Sequence, residues 1–182
     1  MAVFLTIAGL GIAAAPLAEI LWSIARPAQS IWPPIRYTAF TPLFVWAPTF
    51  ALFGILIGLG VLNWGELPFP RWLRFGLGLP LIVLGNIVVW SVVAGFGVHK
   101  TGGAPDGLQT DGLYRVSRNP QYVADIVMIL GWMILAAAPS VTLVGLASIT
   151  VLIAAPFSEE PWLRSRYGRE YEDYAARVRR FF

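Results

Sequence analysis

Glu159 and Glu160 are the residues of this chain that most need explaining. They stand together in Ser158-Glu159-Glu160-Pro161, directly after an apolar run. Two carboxylates beside lipid are costly unless something cationic compensates them. The compensating group is either an arginine of the chain, Arg118 or one from the C-terminal tail, or a cationic ligand. A second cluster, GLYRVSRNPQY at 112–122, is the richest polar ribbon in the sequence. Arg115 and Arg118 could grip a carboxylate as a charge-assisted fork. The faces of Tyr114 and Tyr122 could stack on a planar ring or attract a cation. Pro120 marks the start of the following apolar helix, where proline is well tolerated. A third cluster, GFGVHKTGG at 95–103, carries the single histidine, His99. Its Gly95 and Gly97 also suit close helix packing. With no cysteine, disulfides, thiolate zinc sites and thiol nucleophiles are excluded. One histidine and scattered carboxylates give no His-rich metal site, and no basic groove suits a nucleic acid.

The elements that position these clusters are hydrophobic. Apolar residues make up 57% and charged residues 13%, where a soluble domain has about 25% charged. The pattern is that of an all-α integral membrane protein. A spanning helix needs about 20 apolar residues. Five segments approach that length, at roughly 2–25, 41–63, 72–97, 121–137 and 140–157. The first has no basic n-region and is too long for a signal peptide's apolar stretch, so it reads as a retained span. The last two are separated by Pro139 and Ser140 alone and must form a tight helical hairpin. Each is short for a full crossing. The whole reads as one membrane domain, with N-terminal spans over 1–71 and the clusters gathered in 72–182.

With the N-terminus outside, 11 of the 13 basic residues fall on the inner side and 2 on the outer. This is the orientation the positive-inside bias favours. It places all three clusters on the cytoplasmic side. In the tail, Leu163, Tyr167, Tyr171, Tyr174 and Val178 recur as one helical stripe. Glu160–Arg164, Arg166–Glu170 and Arg169–Asp173 are spaced four apart on other faces. The tail therefore reads as an amphipathic helix at the membrane surface, with Gly168 as a point of bending or breakage.

LQTDGLYRVSRNPQYV, then a helical hairpin, then EEPWLRSRYGREYEDY, resembles the integral-membrane methyltransferases that include isoprenylcysteine carboxyl methyltransferases and phospholipid N-methyltransferases. The resemblance covers roughly residues 95–180, and the first two spans carry no signature. It implies S-adenosylmethionine as methyl donor, bound without a Rossmann domain. By position, Gly107, Leu108 and Gln109 would give backbone contacts and Tyr114 would line the adenosine pocket. Asn119, Pro120 and Tyr122 would occupy the Arg-[His/Asn]-Pro-x-Tyr positions. Glu159, with Glu160, would hold the amino-acid end of the donor, and His99 would be a polar cofactor contact. His99, Arg118 and Glu159 are the candidate catalytic residues.

Plainer roles stand beside these. Tyr114 and Tyr122 suit interfacial anchors, and Arg115 and Arg118 suit positive-inside markers. Asp125 suits the N-terminal dipole of its helix, or it points into the site. Asn86 suits an interhelical hydrogen bond. Asn-Pro-x-Tyr, Gly131-Trp132 and Glu-Glu-Pro look like the phospholipid branch. The tail YGREYEDY looks like the isoprenylcysteine branch, yet residues 154–158 lack that branch's arginine. The expected acceptor is a membrane lipid or lipid-like molecule entering sideways, with an amine, thiol or carboxylate nucleophile. The alternatives are an NADPH-dependent membrane reductase of the sterol type and a non-catalytic lipid-binding protein.

Overall fold

The structure is a computed structural model that describes residues 1–34, 36–96 and 107–181. Among them it is all helical. Four helices are long and apolar enough to cross a membrane: α1 (Ala2–Ala25), α2 (Thr41–Leu62), α3 (Arg71–Gly95) and α5 (Pro139–Tyr167). Between the last two lies the shorter apolar helix α4 (Pro120–Ala136), and the tail adds α6 (Arg169–Arg177). The large apolar side chains left exposed, such as Phe4, Phe44, Val61 and Trp72, are those a lipid phase would cover. The protein is an integral membrane protein.

The α4–α5 hairpin is the centre. α3 packs along α4, while α1 lies against α5 and α2 against both α1 and α5. The α3–α4 contact brings backbone onto backbone. A Cβ on Gly78 would sit 2.9 Å from the Gly131 carbonyl oxygen, and one on Gly131 would sit 2.7 Å from that of Gly78. Only glycine allows such an approach, the usual device where helices associate in lipid. The turn that carries Gly78 has π geometry over Arg74–Gly78. Pro80 follows it and has no N–H to return to the Gly76 carbonyl, so the ladder widens there. Asn86 donates to the Met128 sulfur of α4 at 2.9 Å, the interhelical bond expected of it.

The hairpin turn is Ala137-Ala138, two residues earlier than the sequence suggests. Pro139 starts α5 as the first helical residue, where its missing N–H leaves no bond unmade. Ala137 ends α4 in the left-handed region at φ 49. Leu59, Val141 and Val144 are fully buried beside this turn, in a core shared by α2, α4 and α5.

One expectation is corrected. The fifth span is not short: α5 runs 29 residues, about 43 Å at 1.5 Å per residue. It carries the glutamate pair and the first part of the tail as one continuous helix. The tail breaks where Gly168 allows it: at φ 52 this residue ends α5, and the amphipathic helix α6 follows. The aromatic stripe turns inward: Tyr171 and Tyr174 are buried against the protein and do not face lipid.

Candidate functional site

At the glutamate end of the hairpin the helices part around a cavity of about 400 Å³. Its lining is mixed: apolar residues such as Phe44, Pro48, Leu52 and Ile129 come from α2 and α4, and polar ones from 107–109, the ribbon and the start of the tail.

The ribbon's first task is to hold the tail. Ser117 and Arg179 form an isolated parallel bridge, and the Arg118 N–H donates to the Arg179 carbonyl at 2.9 Å. The Asn119 side-chain amide donates to the Arg180 carbonyl at 2.9 Å. The Tyr174 hydroxyl donates to the Tyr114 carbonyl at 2.7 Å. Burial pushes the Tyr171 and Tyr174 phenols up to about 12. Burial, then the nearby Glu159 charge, pushes the Tyr114 phenol higher still. These hydroxyls stay protonated and available as donors at neutral pH.

The two glutamates divide. Glu160, 5% exposed, receives the cations. Arg118 donates to its Oε1 at 2.7 Å, Arg180 to Oε1 at 2.7 Å and Oε2 at 2.8 Å, and Arg164 lies 3.9 Å away. The bond to Glu160 in turn holds the Arg180 guanidinium above its ordinary pKa. Arg118 also donates to the Ala175 and Val178 carbonyls, both at 2.9 Å, and its buried Nε has no partner among the described residues. Glu159 is treated differently. Its Oε1 accepts from the Tyr122 hydroxyl at 2.5 Å and the Trp32 indole N–H at 2.8 Å. Among the described residues no cation meets it, and it faces the cavity.

Most residues singled out in the sequence gather here. Gly107, Leu108, Gln109, Tyr114, Arg118, Asn119, Tyr122, Glu159 and Glu160 all line the cavity. Pro120 is buried at the start of α4 and positions Tyr122. Arg115 is on the surface, 74% exposed, paired with Asp111 at 3.0 Å. His99 lies outside the described residues. Three participants were not singled out. Trp32 sits in the loop after α1, where no motif marks it. Arg180 was one of six tail arginines with nothing to distinguish it. Glu19 lines the cavity from α1, and a carboxylate inside a span is a signal in itself.

The fold and cavity define a helical membrane protein whose cavity has both polar and apolar walls. A family model described as phospholipid methyltransferase matches residues 73–170, more than half of the chain. The chain belongs to the phospholipid methyltransferase family. No curated protein and no solved structure matches it. The match covers α3, α4, the ribbon and α5, so Trp32, Glu19 and the α2 wall of the cavity lie outside it.

Proposed function

We propose that the protein moves a methyl group from S-adenosylmethionine to a lipid-like acceptor that enters the cavity from the bilayer. The observation that carries this reading is Glu159. It is a carboxylate fixed by two hydrogen bonds, met by no cation among the described residues, in a cavity with both polar and apolar walls. The donor brings an α-ammonium for Glu159, a sulfonium and an adenine for the aromatic faces of Tyr114 and Tyr122, and a carboxylate for which the Arg118 Nε, unpartnered among the described residues, is available. Gly107, Leu108 and Gln109 offer backbone contacts, and His99 is assigned to the same ligand by its motif. When bound, the donor supplies an electrophilic methyl group. The chain's contribution is to align the two partners and keep water out, the main sources of rate in a direct transfer.

Most basic residues lie on the side of the glutamates, which supports a cytoplasmic site and an outside N-terminus. Acceptors with a head-group amine or an isoprenylcysteine-type carboxylate are both compatible with the apolar walls. The test is to reconstitute the protein in vesicles with methyl-labelled donor and follow label into the organic phase. Label in lipid that disappears with Glu159→Gln is the expected result. No label with any amine or carboxylate lipid would overturn the reading.

A further inference from the structure

The loop after α1 lies outside the region matched by the family, yet it is fastened with care. One buried hydroxyl ties it to the helix. Ser23, 3% exposed, donates to the Glu19 carbonyl at 2.7 Å and accepts the N–H groups of Ile31 and Trp32, both at 3.0 Å. The Ser30 hydroxyl donates to the Trp32 carbonyl at 3.0 Å. The turn Pro27–Gln29, between Ser23 and Ser30, packs on α5. Both backbone groups of Trp32 are therefore bonded.

The side chain of Trp32 ends on Glu159. Its indole N–H donates to Oε1 at 2.8 Å, and the Tyr122 hydroxyl donates to the same oxygen at 2.5 Å. One donor comes from the loop and the other from α4. Among the described residues Oε2 accepts no bond and no cation pairs with the carboxylate. The terminal torsion of a glutamate is soft, so a carboxylate bonded by Tyr122 alone could still swing. Two donors on one oxygen restrain it and leave the second oxygen for a ligand. A tryptophan at a membrane surface commonly keeps its N–H for the polar side of the interface. Trp32 is half-buried, lines the cavity and spends its single donor on Glu159.

We infer that Trp32 is a positioning residue of the donor site: with Ser23 setting its backbone, its indole N–H holds the Glu159 carboxylate so that Oε2 meets the ammonium of the donor's amino-acid end. This rests on the methyltransferase reading, which assigns Glu159 to that ammonium. Trp32 acts through Glu159, by keeping a charge aligned before the ligand arrives. The first span and its loop thereby take part in binding the donor.

The test titrates the detergent-purified full chain with S-adenosylhomocysteine and with 5′-methylthioadenosine, which keeps the adenosine and the sulfur and lacks the amino-acid end. Trp32→Phe keeps an aromatic ring and removes the N–H. It should bind S-adenosylhomocysteine at least about threefold more weakly than the wild type, bind 5′-methylthioadenosine unchanged, and melt close to the wild type. Ser23→Ala should show the same selective loss, smaller in size. The double variant should bind S-adenosylhomocysteine no more weakly than Trp32→Phe alone, since both changes act on one bond. Undiminished S-adenosylhomocysteine affinity in Trp32→Phe would overturn the inference. So would an equal loss for both ligands, which would make Trp32 a part of the adenosine wall or of the fold. Losses that simply add in the double variant would overturn the part given to Ser23. If the wild type binds neither ligand, the methyltransferase reading itself fails, whatever the variants do.

Discussion

The two ends of the α4–α5 hairpin treat their polar groups in opposite ways. At the turn end the carbonyls are met from within the chain. Arg74 donates through Nε to the Leu135 carbonyl at 2.9 Å, and the N–H groups of Gly65 and Leu67 reach the Ala136 and Ala137 carbonyls at 2.8 and 2.7 Å. Ala136, Ala137 and Ala138 are 0% exposed. At the glutamate end Asp125 and Glu159 meet no cation among the described residues, although three arginines lie close by. All three converge on Glu160. The unpaired charges are therefore not due to a shortage of arginine. One end is satisfied from within, and on the proposed reading the other is completed by the methyl donor.

Glu160 gives the largest expected effect, because it belongs to the satisfied class while sitting at the open end. Glu160→Ala leaves Arg118 and Arg180 facing each other without their anion. Breaking one side of a buried ion pair costs about 3–5 kcal/mol. The purified variant should melt far below the wild type or fail to accumulate. A melt within a degree or two of the wild type would erase the distinction between the two glutamates. Arg74→Ala sharpens the comparison from the other end. It strips carbonyls of a buried turn of their donor, at about 1–3 kcal/mol. It should lower the melting temperature and leave the affinity for S-adenosylhomocysteine unchanged. A change in that affinity would mean that the turn and the cavity are coupled.

The smallest expected effect concerns the tail. Tyr171 and Tyr174 have folded pKa values of about 12 against the ordinary 10.0. A group whose pKa is raised on folding contributes stability below its unfolded value and loses it as pH climbs through the folded one. The melting temperature should stay level up to about pH 9 and fall as pH rises from 10 towards 12. Tyr174→Phe should lower it at neutral pH by one hydrogen bond, about 1 kcal/mol, and should shrink the alkaline fall. An unchanged alkaline profile would show that the tyrosine stripe does not anchor the tail.

The sequence carried more of the site than of its walls. Hydropathy is additive along a helix, so the apolar segments and the hairpin were legible directly. The length of α5 was not, because Ser158-Glu159-Glu160 looks like the end of a span. The helix persists there since Glu160 is neutralised from the ribbon and the distant C-terminus, contacts no local window contains. Tyr122 and Glu159 were legible from their motifs. Trp32, which completes the bonding of Glu159, was not, because it comes from a loop 127 residues away. The split between Glu159 and Glu160 was posed by the sequence as a choice between a tail arginine and a ligand. In the structure Glu160 takes the arginines, and Glu159 is met by none of them.

The most direct test of the open end is calorimetric titration of S-adenosylhomocysteine, with NADPH alongside, into detergent-purified wild type and Glu159→Gln. Glu159→Gln keeps the size of the side chain and removes the charge. The account predicts that the wild type binds S-adenosylhomocysteine and not NADPH. It predicts that Glu159→Gln loses at least about tenfold in affinity while melting close to the wild type. Binding of NADPH in place of S-adenosylhomocysteine, or undiminished binding by Glu159→Gln, would contradict it.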